Sequence, residues 1–232
     1  MASRMMHLAI IEQITSSRPC RDKNRLRLGA IFPDAAVQGN SHLKILVCGG
    51  IKKTYDLTGF RNAYLQRMLT DDFYLGYYLH LLQDLRFQNF VYHRHWNPRP
   101  QGNPQRLHND YALLNRPLAQ KYGIQPQLTL PAALEQELIC QQYRFDAHAC
   151  LEELQADFEL QASGESFFFT DQMADQYIED AARCCLREID ALFSHRSGGG
   201  RACAGLETGV SAQPLSAISS QGGSLCPKPS PS

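Results

Sequence analysis

Residues 71–90 read DDFYLGYYLHLLQDLRFQNF, and this stretch decides the fold class. Positions three and four apart lie on one face of an α-helix. Phe73, Tyr77, His80, Asp84 and Phe87 follow that spacing, so they form one stripe along a helix running to about Phe90, with Asp71 as its N-cap. Tyr74 and Tyr78 widen the apolar surface, and a helix this apolar belongs inside a bundle.

Helical spacing continues on both sides. His7, Ile10, Ile11 and Ile14 share a face of a first helix. Lys23–Ile31 predicts a second helix, which must end by Phe32 because Pro33 disfavours the helical conformation in the residue before it. Thr58–Leu69 repeats the amphipathic pattern. Later helices are expected over Arg106–Tyr122 (broken or bent at Pro117), Pro131–Gln142, Asp146–Leu160 and Asp171–His195, the last capped by Thr170. Lys44–Cys48 is the one strand candidate. The expected fold is therefore all-α, a single bundle of about seven helices over residues 1–196. Residues 197–232 differ, with seven Gly, eight Ser, four Pro and no aromatic residue, which predicts a disordered tail.

Charge and cysteine content narrow the function. The 23 Lys+Arg balance 23 Asp+Glu, so no basic excess exists to displace counterions from nucleic acid by bulk charge. No apolar run reaches the roughly 18 residues of a membrane helix. The start, MASRMMHLAIIEQ, has too short an apolar run for a signal peptide, and Glu12 interrupts it. The expected compartment is the cytoplasm. The eight cysteines include no C-x-x-C pair, so any metal must be held by histidine and carboxylate.

Three places put polar side chains where a bundle buries apolar ones. His80 and Asp84, at i and i+4, can direct an imidazole and a carboxylate at one point, and Gly76 one turn earlier lets a neighbouring helix or a metal centre approach. His7 interrupts an isoleucine stripe. Asp34 and His42 occupy a loop after a Pro-terminated helix. Each alone can be a satisfied core or turn residue. Together, His7, Asp34, His42, His80 and Asp84 supply three imidazoles and two carboxylates, a set that suits zinc or another borderline divalent metal. Burying two carboxylates without a cation is costly.

The order of these residues resembles the zinc-dependent phospholipase C family, related in fold to the S1/P1-type nucleases. The resemblance rests on His7, Gly29-Ala30-x-x-Pro33-Asp34, Ser41-His42 and Gly76-Tyr77-x-x-His80-x-x-x-Asp84. It is clear over about residues 5–90 and weaker to about 196. It implies an all-α fold, one to three zinc ions, and phosphoester hydrolysis by a metal-bound hydroxide. Asp34, at the metal-facing position of the motif, is then the candidate for both metal bridging and general-base work. The departures are specific. Phe90 stands where the family has a further histidine, and the only H-x-x-x-E string is His148–Glu152. Asp110, or His108 beside it, is the nearer candidate to complete the ligand set.

The segment VYHRHWNPRP reads either as a solvated surface loop or as a pocket rim. In the second case Arg94 or Arg99 contacts a substrate phosphate, Trp96 packs on its apolar part, and His95 stands on the rim as a further substrate-binding candidate. The substrate expected is a small phosphodiester or phosphomonoester. Phospholipid is not favoured, because no amphipathic membrane-seeking helix is evident. An HD-type phosphohydrolase needs a His-Asp dipeptide, which the chain lacks. The rival of a different class is a non-catalytic helical protein that retains a structural or regulatory metal site.

Overall fold

The computed structural model describes residues 1–95 and 103–197. The expected tail falls, after Ser197, outside the described residues. Eight α-helices are present among those described: α1 (Arg4–Ser17), α2 (Lys23–Ile31), α3 (Leu57–Thr70), α4 (Asp72–Phe87), α5 (Asn103–Tyr122), α6 (Leu138–Gln142), α7 (Ala147–Glu159) and α8 (Asp171–Ser197). Four short strands form two antiparallel pairs. β1 (Ala36–Gln38) pairs with β4 (Arg144–Phe145), and β2 (Lys44–Val47) with β3 (Lys52–Tyr55). The protein is a mostly helical bundle, as its periodicity predicts.

Side chains that accept backbone amides start the helices. Ser3, Asp22, Asp56, Asp71 and Asp146 cap α1, α2, α3, α4 and α7 in turn. Asp71 also closes α3, so α3 and α4 meet at a single residue. Thr170 caps α8 through the Met173 amide, as expected. Two expectations are corrected. The helix expected over Pro131–Gln142 is broken into a 3-10 turn at Leu134–Gln136 and the five-residue α6, because Glu137 is extended between them. The α-helical part of α4 ends at Phe87, and the chain continues as a π-helix over Gln88–His95.

The core is centred on α4, whose residues are buried almost without interruption from Asp72 to Asp84. It packs on α2 at unusually short range. A Cβ on Gly29 would overlap the carbonyl oxygen of Phe73, and one on Gly76 would overlap that of Leu26. The two glycines therefore let backbone meet backbone, so Gly76 admits a neighbouring helix. That approach matters one turn further on. It brings the Ala30 carbonyl of α2 to 2.8 Å from Nδ1 of His80.

Candidate metal centre

Three elements besides α4 deliver the remaining polar side chains. His7 comes from α1. Asp34 comes from the 3-10 turn Phe32–Ala35 that Pro33 imposes at the end of α2. His42 comes from the loop between β1 and β2, which Gly39 and Leu43 bend through positive φ. Tyr77 of α4 holds this loop in place by donating its hydroxyl to the Ser41 carbonyl at 2.7 Å.

The five side chains converge. Nε2 of His80 lies 3.7 Å from Oδ2 of Asp84 and 3.9 Å from Oδ1 of Asp34. Nε2 of His42 lies 3.2 Å from Oδ1 of Asp34 and 3.7 Å from Oδ2 of Asp84. His7 Nε2 faces the other oxygen of Asp84 at 3.6 Å. His7, His80 and Asp84 are fully buried, and Asp34 keeps 13% of its side-chain surface.

The imidazoles are held in one tautomeric sense. His80 Nδ1 faces a carbonyl, which only accepts, so Nδ1 carries the proton. His7 Nδ1 lies 2.6 Å from Oε1 of Gln83, again an acceptor. Ser41 Oγ donates its own proton to the Pro33 carbonyl, so it accepts from His42 Nδ1 at 3.1 Å. All three Nε2 lone pairs are thereby turned toward the two carboxylates. The Nε2 atoms of His42 and His80 stand 3.2 Å apart, and His7 Nε2 has no hydrogen-bond partner. Histidine ligands oriented through their other nitrogen are the usual support of a metal centre. Two groups of ligand atoms close enough to share an ion result: His7, His80 and Asp84, and Asp34, His42 and His80. These residues could hold a metal.

Electrostatics agree with the geometry. Burial, with the neighbouring His7, pushes His80 down to about 3, so it stays neutral. Burial alone would raise both carboxyls, but the imidazoles grouped around them outweigh it, with His7 foremost at Asp84. Both lie below their ordinary range and are ionised. Burial also opposes a proton on His7, but Asp84 overcomes it and raises that pKa. A proton and a cation thus compete for the same buried lone pair.

Supporting residues come from outside the expected set. Gln83 orients His7. The Ala2 amide donates to Asp84 Oδ1 at 3.0 Å, and the Tyr55 hydroxyl to Asp84 Oδ2 at 3.3 Å. Gln83 was findable, because an amide beside Asp84 on so buried a helix needs a partner. Tyr55 carried no such signal. The expectation for Asp110 is corrected. Its oxygens accept the backbone amides of Phe167, Phe168 and Phe169 at 2.7, 2.9 and 2.7 Å, so it anchors the approach to α8 and is not aimed at the cluster. His108 is exposed and belongs to neither ligand group. It does line a cavity of about 470 Å³, together with Asp34, Arg4, Tyr111, Asn115 and Asp157. Trp96, Arg99 and the side chains of Arg94 and His95 lie outside the described residues.

The chain matches no known family model, no curated protein and no solved structure. No helix among the described residues is long and apolar enough to cross a membrane.

Proposed function

We propose that the protein is a metal-dependent phosphoesterase, a divergent relative of the zinc-dependent phospholipases C. The observation that carries the metal reading is the convergence of three Nδ1-anchored imidazoles on one buried carboxylate, Asp84, and one half-buried one, Asp34. A nitrogen-and-carboxylate donor set of this kind suits zinc, and Asp84 presents one oxygen to His7 and the other to His42 and His80, so it would be a ligand of any ion bound there. A divalent ion held there supplies Lewis acidity and makes a coordinated water acidic near neutral pH.

The chain's own residues divide the rest of the work. His7, His80 and Asp84, all fully buried, would hold the ion. Asp34 is the one carboxylate of the cluster that also lines the 470 Å³ cavity, so a phosphoester seated in that cavity meets Asp34. Its lowered pKa keeps it ionised at neutral pH, ready to take a proton from the attacking water. Arg4 lines the same cavity but is committed to Glu153 and Asp157, so it is not free to pair with a phosphoryl group.

A second reading has its own support. The full burial of His7, His80 and Asp84 also suits a structural ion that ties α1 to α4 without turnover. Elemental analysis followed by assays on phosphate mono- and diesters separates the two. The phosphoesterase reading expects about one or two divalent ions per chain, in the number range of such centres, and hydrolysis that stops when they are chelated. Full metal occupancy with no turnover on any ester would leave the structural ion, and a metal-free protein of unchanged stability would remove both.

A further inference from the structure

The β2–β3 hairpin is a second feature that folding alone does not account for. Its register pairs Lys44 with Tyr55, Ile45 with Thr54, Leu46 with Lys53 and Val47 with Lys52. Opposed residues of an antiparallel pair share a face, so one face carries Leu46 and Lys53 and the other Ile45, Val47 and Lys52. The chain turns over Cys48, Gly49 and Gly50, all at positive φ. Toward this tip the side chains are apolar and open to solvent, with Ile51 90%, Leu46 66% and Ile45 39% exposed. A two-stranded ribbon has no core of its own, so these residues gain nothing from folding.

Its base, by contrast, is fixed. The Asp56 amide donates to the Leu43 carbonyl, Gln88 donates to the Lys53 carbonyl, and Tyr55 reaches Asp84. The charge is one-sided as well. Between Asp34 and Asp56 the sequence contains three lysines and no acidic residue. An apolar point with lysines just behind it, on both faces, matches a bilayer whose surface is anionic. The apolar groups reach the acyl boundary while the ammonium groups stay among the phosphates. The shape is convex, which suits insertion better than it suits a partner helix seeking a groove.

We infer that the β2–β3 hairpin is a peripheral membrane anchor whose tip, Leu46 to Ile51, enters the surface of an anionic bilayer. This inference rests on the hairpin alone and is independent of what the metal centre does. The test is co-sedimentation of the full chain with phosphatidylcholine vesicles and with vesicles that also contain phosphatidylglycerol. Binding is expected to the anionic vesicles, at least about tenfold tighter than to the zwitterionic ones. Lys52→Glu with Lys53→Glu, and separately Ile51→Asp, should each weaken it by about tenfold or more while leaving the melting temperature unchanged. Ile51→Trp should add fluorescence that brominated acyl chains quench, beyond any quenching of the wild type, whose single tryptophan is Trp96. Failure to bind anionic vesicles would overturn the anchor, as would binding that neither the Lys52→Glu, Lys53→Glu double variant nor Ile51→Asp weakens. So would fluorescence from Ile51→Trp that brominated lipid leaves unquenched. A change of oligomeric state in Ile51→Asp without lipid binding would assign the tip to a protein contact and overturn it equally.

Discussion

Asp84 and Asp110 are both carboxylates sealed inside the same bundle, yet they meet burial in different ways. Asp110 is surrounded by hydrogen-bond donors that the backbone provides, three consecutive amides from 167–169. Asp84 faces imidazole nitrogens whose protons are engaged elsewhere, with one amide and one hydroxyl as its only donors among the described contacts. The first arrangement is complete in itself, because a carboxylate that accepts several amides is satisfied. The second is short of donors and would be completed by a cation. A buried aspartate therefore says little about metal until the atoms opposite it are known.

The widest expected difference between the two regions is in turnover. Asp34 belongs to the Asp84 cluster and reaches the cavity, so Asn at this position removes the proposed proton acceptor while nearly preserving shape. Asp34→Asn should lower phosphodiester hydrolysis by about a thousandfold, in the range of general-base contributions, with the helical circular-dichroism spectrum unchanged. Equal rates in the two proteins would sink the assignment of Asp34. His80→Ala should act differently, losing metal first and activity in proportion, since it removes a ligand held by the rigid α4.

Chelation divides the regions next. An ion present at about a thousand times its dissociation constant stabilises the folded state by about 4 kcal/mol. Stripping it should lower the melting temperature of a chain this size by about 10 °C. Amide exchange should rise along α1 and the 39–43 loop, which a bound ion would tie to α4. The amides of Phe167, Phe168 and Phe169 should exchange as before, because Asp110 holds them without help. Parallel loss of protection at both places would show that the two carboxylates form one cooperative unit, against the distinction drawn between them.

Asp110→Ala reverses the pattern. Three amides lose a charged acceptor, at a cost of about 3 kcal/mol, read as a lower urea midpoint. Metal content per folded chain should stay unchanged. Loss of metal in a folded Asp110→Ala protein would restore Asp110 to the ligand set from which its geometry removes it.

The contrast also explains what the sequence could disclose. His7, His80 and Asp84 are legible because each interrupts an apolar helical stripe, and all three are fully buried. Asp34 and His42 are legible because Pro33 ends α2 and fixes the turn that carries Asp34. Asp110 looked equally promising, but its partners lie 57–59 residues later and are backbone amides, which carry no residue-type signal. A still greater distance hid β4, a two-residue strand that pairs with β1 across more than a hundred positions. In the 131–142 segment helical spacing was present, yet it could not reveal that Glu137 is extended. Local patterns and polar intrusions could be read; contacts satisfied by distant backbone could not.

The smallest expected effects come from two glycines that test whether backbone proximity or backbone conformation positions the cluster. A methyl group on Gly76 meets the backbone of α2, which cannot move aside as a side chain would. Gly76→Ala should therefore push α2 from α4 and cost about 2 kcal/mol, as overpacking does. It should also weaken metal binding, because the Ala30 carbonyl that orients His80 moves with α2. Gly123, just past the end of α5, is the control. It has φ of +64° and open space around it, so Ala there strains only its own backbone, by about 1 kcal/mol. The two variants should differ less in melting temperature than in metal affinity, with Gly123→Ala binding like the wild type. If Gly76→Ala also bound metal like the wild type, the close approach of α2 and α4 would be a feature of packing alone. His80 would then owe its orientation to its own helix and not to the carbonyl that faces it.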